Sequence, residues 1–213
     1  MAKLLEKGKF DGIFLADVLG GYDVYNGSLD AALRSGAQFP VVDPFFTVPA
    51  MAAVTKNLTF GVTQNTSYDH PYLVARKFST LDHLTNGRVG INVVTGYLDS
   101  AARQFGNKNQ ELHAKRYEVA HEYMDVLYKL WESSWADDAI KFDANNKIYT
   151  QPDRVRAVNH KVRVLRERCK SSESILTTRY SFRVTGTILP QHSGTPHCSP
   201  WSSTNAHHLS SCG

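Results

Sequence analysis

The chain has 213 residues, of which 42% are hydrophobic and 21% charged, and a formal net charge of +4. These are ordinary values for a globular chain of one large domain or two small ones. No apolar run nears the ~20 residues a bilayer span requires, and so small a positive excess does not itself point to nucleic acid.

In chain order, residues 3–8 read as the last turns of a helix closed by Gly8. Residues 12–16 form an apolar strand ending on Asp17, and a Gly-, Tyr- and Asp-rich loop runs from Gly20 to Gly36. Helical spacing returns within 44–55, centred on 48–54, and a second strand covers 58–63. Residues 71–84 predict an amphipathic helix carrying Leu73, Val74, Phe78, Leu81 and Leu84, stopped by Asn86-Gly87. A third strand follows over 89–95. A long helix from about 111 to 131 spaces Tyr117, Ala120, Met124, Leu127 and Trp131 for one buried face. Residues 136–160 suggest a two-stranded excursion turning at Asn145-Asn146.

Short apolar strands alternating with helices predict an α/β fold with a parallel sheet covered on both faces. Each strand ends on polar residues: Asp17, then Thr63 to Asn65, then Asn92 and Thr95. In parallel α/β folds ligands bind at the carboxyl ends of strands, so these residues form one wall of a site or merely begin loops. Asp69-His70 and Asp82-His83 read as acid–base pairs or, more simply, as turn and helix-surface pairs. Arg76 and Arg88 read as anion ligands or as structural cations.

The last quarter differs in kind. Residues 1–159 carry 17 Lys and Arg against 18 Asp and Glu, whereas residues 160–213 carry 7 against 2. All three cysteines, Cys169, Cys198 and Cys212, lie there, and their odd number predicts reduced thiols rather than a disulfide framework. From 171 to 213, 16 of 43 residues are Ser or Thr, so disorder is the expected state. Met1 to Gly8 shows no signal-peptide core, and a cytoplasmic chain is expected.

Residues 6–17 (EKGKFDGIFLAD), 67–76 (SYDHPYLVAR) and 81–95 (LDHLTNGRVGINVVT) carry a resemblance, as do Phe105-Gly106, the run 113–117, the run 127–131, residues 149–156 and Asn159-His160. Together, from about residue 3 to 160, they resemble the bacterial-luciferase-like flavin monooxygenases, in the branch of nitrilotriacetate monooxygenase component A and the dibenzothiophene-sulfone monooxygenases. The resemblance implies a TIM-type (β/α)₈ barrel. It implies reduced FMN, supplied by a separate NAD(P)H-dependent flavin reductase and held at the strand ends, and O2 as co-substrate for oxygenating a small organic substrate. The flavin contacts it implies are Asp17, Thr63 and the His113/Tyr117 pair, with Asn92 and Thr95 as neighbours.

The likeness begins inside the helix after the family's first barrel strand and stops near His160. The expected fold is therefore a partial barrel over 1–160, lacking the first strand and the C-terminal half. Residues 161–213 are expected to be an unrelated tail, with a reading-frame shift as one origin. Open parallel edges in such a fragment invite self-association into a homo-oligomer. No nucleic-acid or membrane partner is expected, and no catalytic side chain or metal ligand is assigned. A competing reading is a non-catalytic remnant. Another is a binding module centred on the tail, using His197, Cys198, His207, His208, Cys212 and the basic cluster Arg163, Arg166, Arg168 and Lys170, although their spacing fits no standard zinc pattern.

Overall fold

A computed structural model describes residues 1–165 apart from Phe39 and Val162. The expectations placed on residues 166–213, including those on the cysteines, lie outside the described residues.

The elements run α1 (Ala2–Lys7), β1 (Gly12–Leu15), α2 (Asp30–Ser35), α3 (Pro44–Ala52), β2 (Thr59–Asn65), α4 (Pro71–Thr85), β3 (Val89–Val94), α5 (Asp99–Gln104) and α6 (His113–Tyr128), then the hairpin β4 (Ile140–Asp143) and β5 (Ile148–Thr150). Strands β1, β2 and β3 pair in parallel in that order. Parallel neighbours need a crossover, and α3 and α4 supply the helices that return the chain.

The strands alternate with period two. Phe60 and Val62 of β2 and Val89 and Ile91 of β3 join the buried core, with Ile13 and Leu15 of β1 packed against it. That core also takes Val48 from α3, Val74, Phe78 and Leu81 from α4, and Tyr123, Val126 and Leu127 from α6. The opposite face carries Phe14, Thr63, Asn65, Asn92 and Val94, all of which line a cavity. The sheet is thus covered by helices on one face and turns its other face to the cavity, where cover on both faces was expected.

Local chemistry fixes the helix limits. Asp43 caps α3, its Oδ1 accepting from Phe45 N at 2.9 Å ahead of Pro44 at the first helical position. His70 caps α4 through Nδ1, which accepts from Tyr72 N at 3.2 Å, so the Asp69-His70 pair is a helix start. Asn86 at φ 55° and Gly87 at φ 76° end α4, with Gly87 N donating to Asp82 O at 2.9 Å.

Several expectations need correction. Residues 20–36 are not all loop, because α2 forms there, started by Ser28 Oγ accepting from Asp30 N and ended by Gly36 at φ 66°. Six residues are too few to show a period. Helix α5 is equally short and likewise shows no period in the sequence. Leu73 and Leu84 are exposed, and the buried face of α4 is rotated toward Val74, Ala75, Phe78, Leu81, Asp82 and Thr85. The long helix begins at His113 and passes into a π-helical turn over Lys129–Ser133. Its core face is centred on Tyr123, not on Tyr117 and Met124.

Charged side chains hold backbone segments ahead of β2 and β3 and beside α6. Glu6 Oε1 accepts from the backbone N–H of Lys56 (2.7 Å), Asn57 (2.6 Å) and Leu58 (3.2 Å), just before β2. Arg88, just before β3, donates to the carbonyls of Ala52, Thr55, Leu58 and Thr85 and to Thr55 Oγ1. It is a structural cation, and the anion-ligand reading falls away. Glu122 of α6, only 2% exposed, accepts from the backbone N–H of Arg163, Val164 and Leu165 and bonds His160 Nε2 at 3.1 Å. Burial alone would raise this carboxyl. Four hydrogen bonds outweigh burial and hold it down to about 2.

Candidate functional site at the carboxyl ends of the strands

The strand ends open into a cavity of about 340 Å³. Parallel pairing sets Thr63 directly opposite Asn92. Both side chains leave the sheet on the cavity face, and Asn92 Nδ2 donates to Thr63 Oγ1 at 2.9 Å. The Thr63 hydroxyl accepts there and keeps its own hydrogen free to donate. Asp17, two residues beyond β1, lines the same cavity. Burial pushes its carboxyl up, the nearby Asp43 and Asp69 carboxylates push it further, and the Val18 N–H only partly offsets them.

The structure therefore brings four of the strand-end candidates together: Asp17, Thr63, Asn65 and Asn92. Thr95 is not among the lining residues. It lies just past β3, where its carbonyl accepts from Ser67 Oγ at 2.7 Å. His113 and Tyr117 are not among them either. They occupy the first turns of α6, with ring centroids 4.8 Å apart, His113 exposed and Tyr117 half-buried. Leu112 in the cap position offers no side-chain acceptor to the free N–H groups of that helix end.

Three polar residues of the cavity were not anticipated: Tyr22, Gln38 and Tyr97. Tyr97 follows Gly96, whose φ of 71° turns the chain sharply off β3. A Cβ at Gly96 would lie 2.7 Å from Asn65 Nδ2, so the turn depends on glycine. A glycine just beyond a strand carrying polar end residues was the available signal for Tyr97. Tyr22 and Gln38 come from the loop between β1 and α3, where no periodicity assigns a facing direction.

A parallel α/β sheet with helices on one face and a polar-ended cavity at its carboxyl ends is the arrangement of a barrel whose loops carry the chemistry. The chain belongs to the luciferase-like monooxygenase family, whose description matches residues 1–164. It is 56% identical over 160 residues to the long-chain alkane monooxygenase of Geobacillus thermodenitrificans, covering 75% of this chain and 36% of that one. It is 54% identical over 160 residues to the dimethyl-sulfide monooxygenase of Hyphomicrobium sulfonivorans, covering 75% and 33%. Relatives in the expected branch include dibenzothiophene-sulfone monooxygenase of Rhodococcus erythropolis and nitrilotriacetate monooxygenase component A of Aminobacter aminovorans. Among solved structures, a riboflavin lyase (RcaE) with modified FMN and riboflavin superposes with a TM-score of 0.75 at 32% identity, covering 88% of this chain and 40% of that one. The chain spans about a third of the length of these curated relatives. No helix among the described residues is long and apolar enough to cross a membrane.

Proposed function

We propose that this chain carries the flavin-binding strand ends of an FMN-dependent monooxygenase. The observation that supports this most directly is the convergence of Asp17, Thr63 and Asn92 on one cavity in a luciferase-like fold. The fit to a flavin rests on donor chemistry. A flavin ring is flat and apolar on its faces, and its edge alternates donors and acceptors. Phe14, Val94 and Leu98 supply apolar walls, the free Thr63 hydrogen a donor, and Asp17 a carboxyl that either accepts or, when protonated, donates.

Bound reduced FMN would supply the electrons that split O2 between an oxygenated substrate and water. The protein's part is to hold, orient and dry the site. Thr63 would donate to a ring-edge acceptor, its hydroxyl oriented by the hydrogen bond from Asn92. Asp17 would present to the ring a carboxyl that burial and the neighbouring Asp43 and Asp69 push up, so that it holds a proton more tightly than an exposed one. The N-terminus of α6, with His113 and Tyr117 on one face, has free N–H groups and the positive end of a 16-residue helix that would suit the phosphate. Thr95 is a neighbour without a direct contact. A separate NAD(P)H-dependent flavin reductase as partner accords with a relative named component A.

Flavin fluorescence tests the reading. Titrating FMN with the full chain should give saturable quenching, weakened by substitution at Thr63. Reduced FMN, isotopic O2 and a small organic substrate should then give a labelled product. Failure of the chain to quench FMN at any protein concentration overturns the proposal.

A further inference from the structure

The hydroxyls of Tyr22 and Tyr97 meet at 2.5 Å across the cavity, although the residues lie 75 positions apart. Between two hydroxyls only one hydrogen is shared, so the other O–H keeps a free hydrogen. Among the described residues neither hydroxyl has another hydrogen-bond partner. Burial first, and then the Tyr22 hydroxyl, push the Tyr97 phenol up to about 12, so it keeps its hydrogen at physiological pH. A hydroxyl that already accepts a hydrogen bond is a stronger donor through its own hydrogen.

The pair is held in place by the chain on either side of Tyr22. Ser100 Oγ donates to Gly21 O at 2.7 Å, and Arg103 pairs with Asp23. Gly20 lies flush on α5, where a Cβ would come within 2.5 Å of Ala101 N. Around the pair stand Phe14, Val41, Val94 and Leu98. Among the described lining residues there is no Lys, Arg or His, and apart from the phenols the only ionisable one is Asp17.

We propose that Tyr22 and Tyr97 act together as a specificity-determining donor. The cavity would admit a small, neutral, mostly apolar molecule carrying one oxygen or sulfur acceptor, and reject substrates bearing several carboxylates. A carboxylate drawn against this wall meets no cation among the described lining residues and faces Asp17, a carboxyl that burial and two neighbouring carboxylates already push up. This rests on the reading of the cavity as the reaction site and names its substrate class.

The test uses the full chain without flavin and three probes measured by ligand-observed NMR and calorimetry. Methyl phenyl sulfoxide is neutral with one strong acceptor. Ethylbenzene has a similar shape and none. Nitrilotriacetate is a polycarboxylate. The wild type should bind the sulfoxide more tightly than ethylbenzene and show no saturable binding of nitrilotriacetate. Tyr22→Phe and Tyr97→Phe should each weaken the sulfoxide about tenfold, the worth of one hydrogen bond, and leave ethylbenzene essentially unchanged. Ultraviolet titration of the phenols gives a second readout that needs no ligand: in Tyr22→Phe the Tyr97 phenol should ionise below its wild-type value of about 12.

Sulfoxide affinity insensitive to both substitutions, tighter binding of nitrilotriacetate than of the sulfoxide, or no binding of either neutral probe overturns the proposal. Failure of FMN binding with the probe pattern intact counts against the flavin reading and leaves this one standing.

Discussion

Glu122→Gln should convert a pH-dependent clamp into a pH-independent one. In the wild type both carboxylate oxygens accept hydrogen bonds, from three consecutive backbone N–H groups and from His160. The carboxyl falls from its ordinary 4.5 to about 2, which corresponds to about 3 kcal/mol of folding free energy at neutral pH. Because the folded value lies below the unfolded one, this stabilisation is whole above about pH 5 and fades as pH falls through about 2. Gln has the shape of protonated Glu. The pH-dependent part of the gap in stability between wild type and variant should therefore be about 3 kcal/mol at pH 7 and at pH 5, about 1.4 kcal/mol at pH 3 and under about 0.5 kcal/mol at pH 2, on top of a constant loss because the Gln Nε2 cannot accept from the backbone N–H groups. Urea unfolding followed by far-ultraviolet circular dichroism at those pH values measures the gap. Other carboxylates titrate in both proteins and cancel in the difference. A gap that stays constant with pH, or is absent at pH 7, refutes the argument that the charge of Glu122 holds residues 163–165.

Arg88→Met should destabilise the chain by about 3–5 kcal/mol in the same assay, because five acceptors lose their donor, and Arg88→Lys should recover little since an ammonium cannot reach them in one plane. A loss under about 1 kcal/mol would contradict the role assigned to the guanidinium. Asp17→Asn should raise the thermal midpoint at pH 7 while weakening FMN: a carboxyl raised in the folded state binds its proton more tightly there, so its contribution to stability declines as pH rises. A lower midpoint at pH 7 would show that Asp17 is structural. Thr63→Val should weaken FMN roughly tenfold with little change in unfolding, and unchanged fluorescence quenching would remove Thr63 from the site.

What the sequence revealed and what it hid follow from the same physics. Strands and long helices repeat a pattern over several residues, so β1, β2, β3 and α4 could be located, and so could the polar strand ends Asp17, Thr63 and Asn92. The six-residue helices α2 and α5 complete fewer than two turns and leave no period to detect. Tyr22 and Tyr97 were hidden because their meeting depends on the packing of two loops through Gly20, Gly21 and Ser100, a property of the three-dimensional fold. Glu122 carries its own signal in the sequence. A carboxylate between Val119, Ala120, Tyr123 and Val126 on an apolar helix face needs buried partners, and three backbone N–H groups provide them.

The two ends of the sheet treat polar groups in opposite ways. At the amino ends Glu6 is spent on backbone, taking three consecutive N–H groups ahead of β2, and from α6 Glu122 takes three more, each run closing on a buried leucine, Leu58 and Leu165. Arg88 gathers the carbonyls between α3 and β3. These groups are satisfied, and a ligand could gain nothing from them. At the carboxyl ends Asp17 sits with its carboxyl raised, Thr63 keeps a hydrogen to donate, and the tyrosine pair keeps another. Groups left short of partners next to a cavity lower stability until something binds, which is the signature of a site and the reason its residues tolerate neutral substitution better than the clamps do. Substitutions at Glu6, Arg88 and Glu122 should therefore act through folding alone. Substitutions at Asp17, Thr63, Tyr22 and Tyr97 should act through binding. A destabilised variant of the second group with normal ligand affinity would break that division.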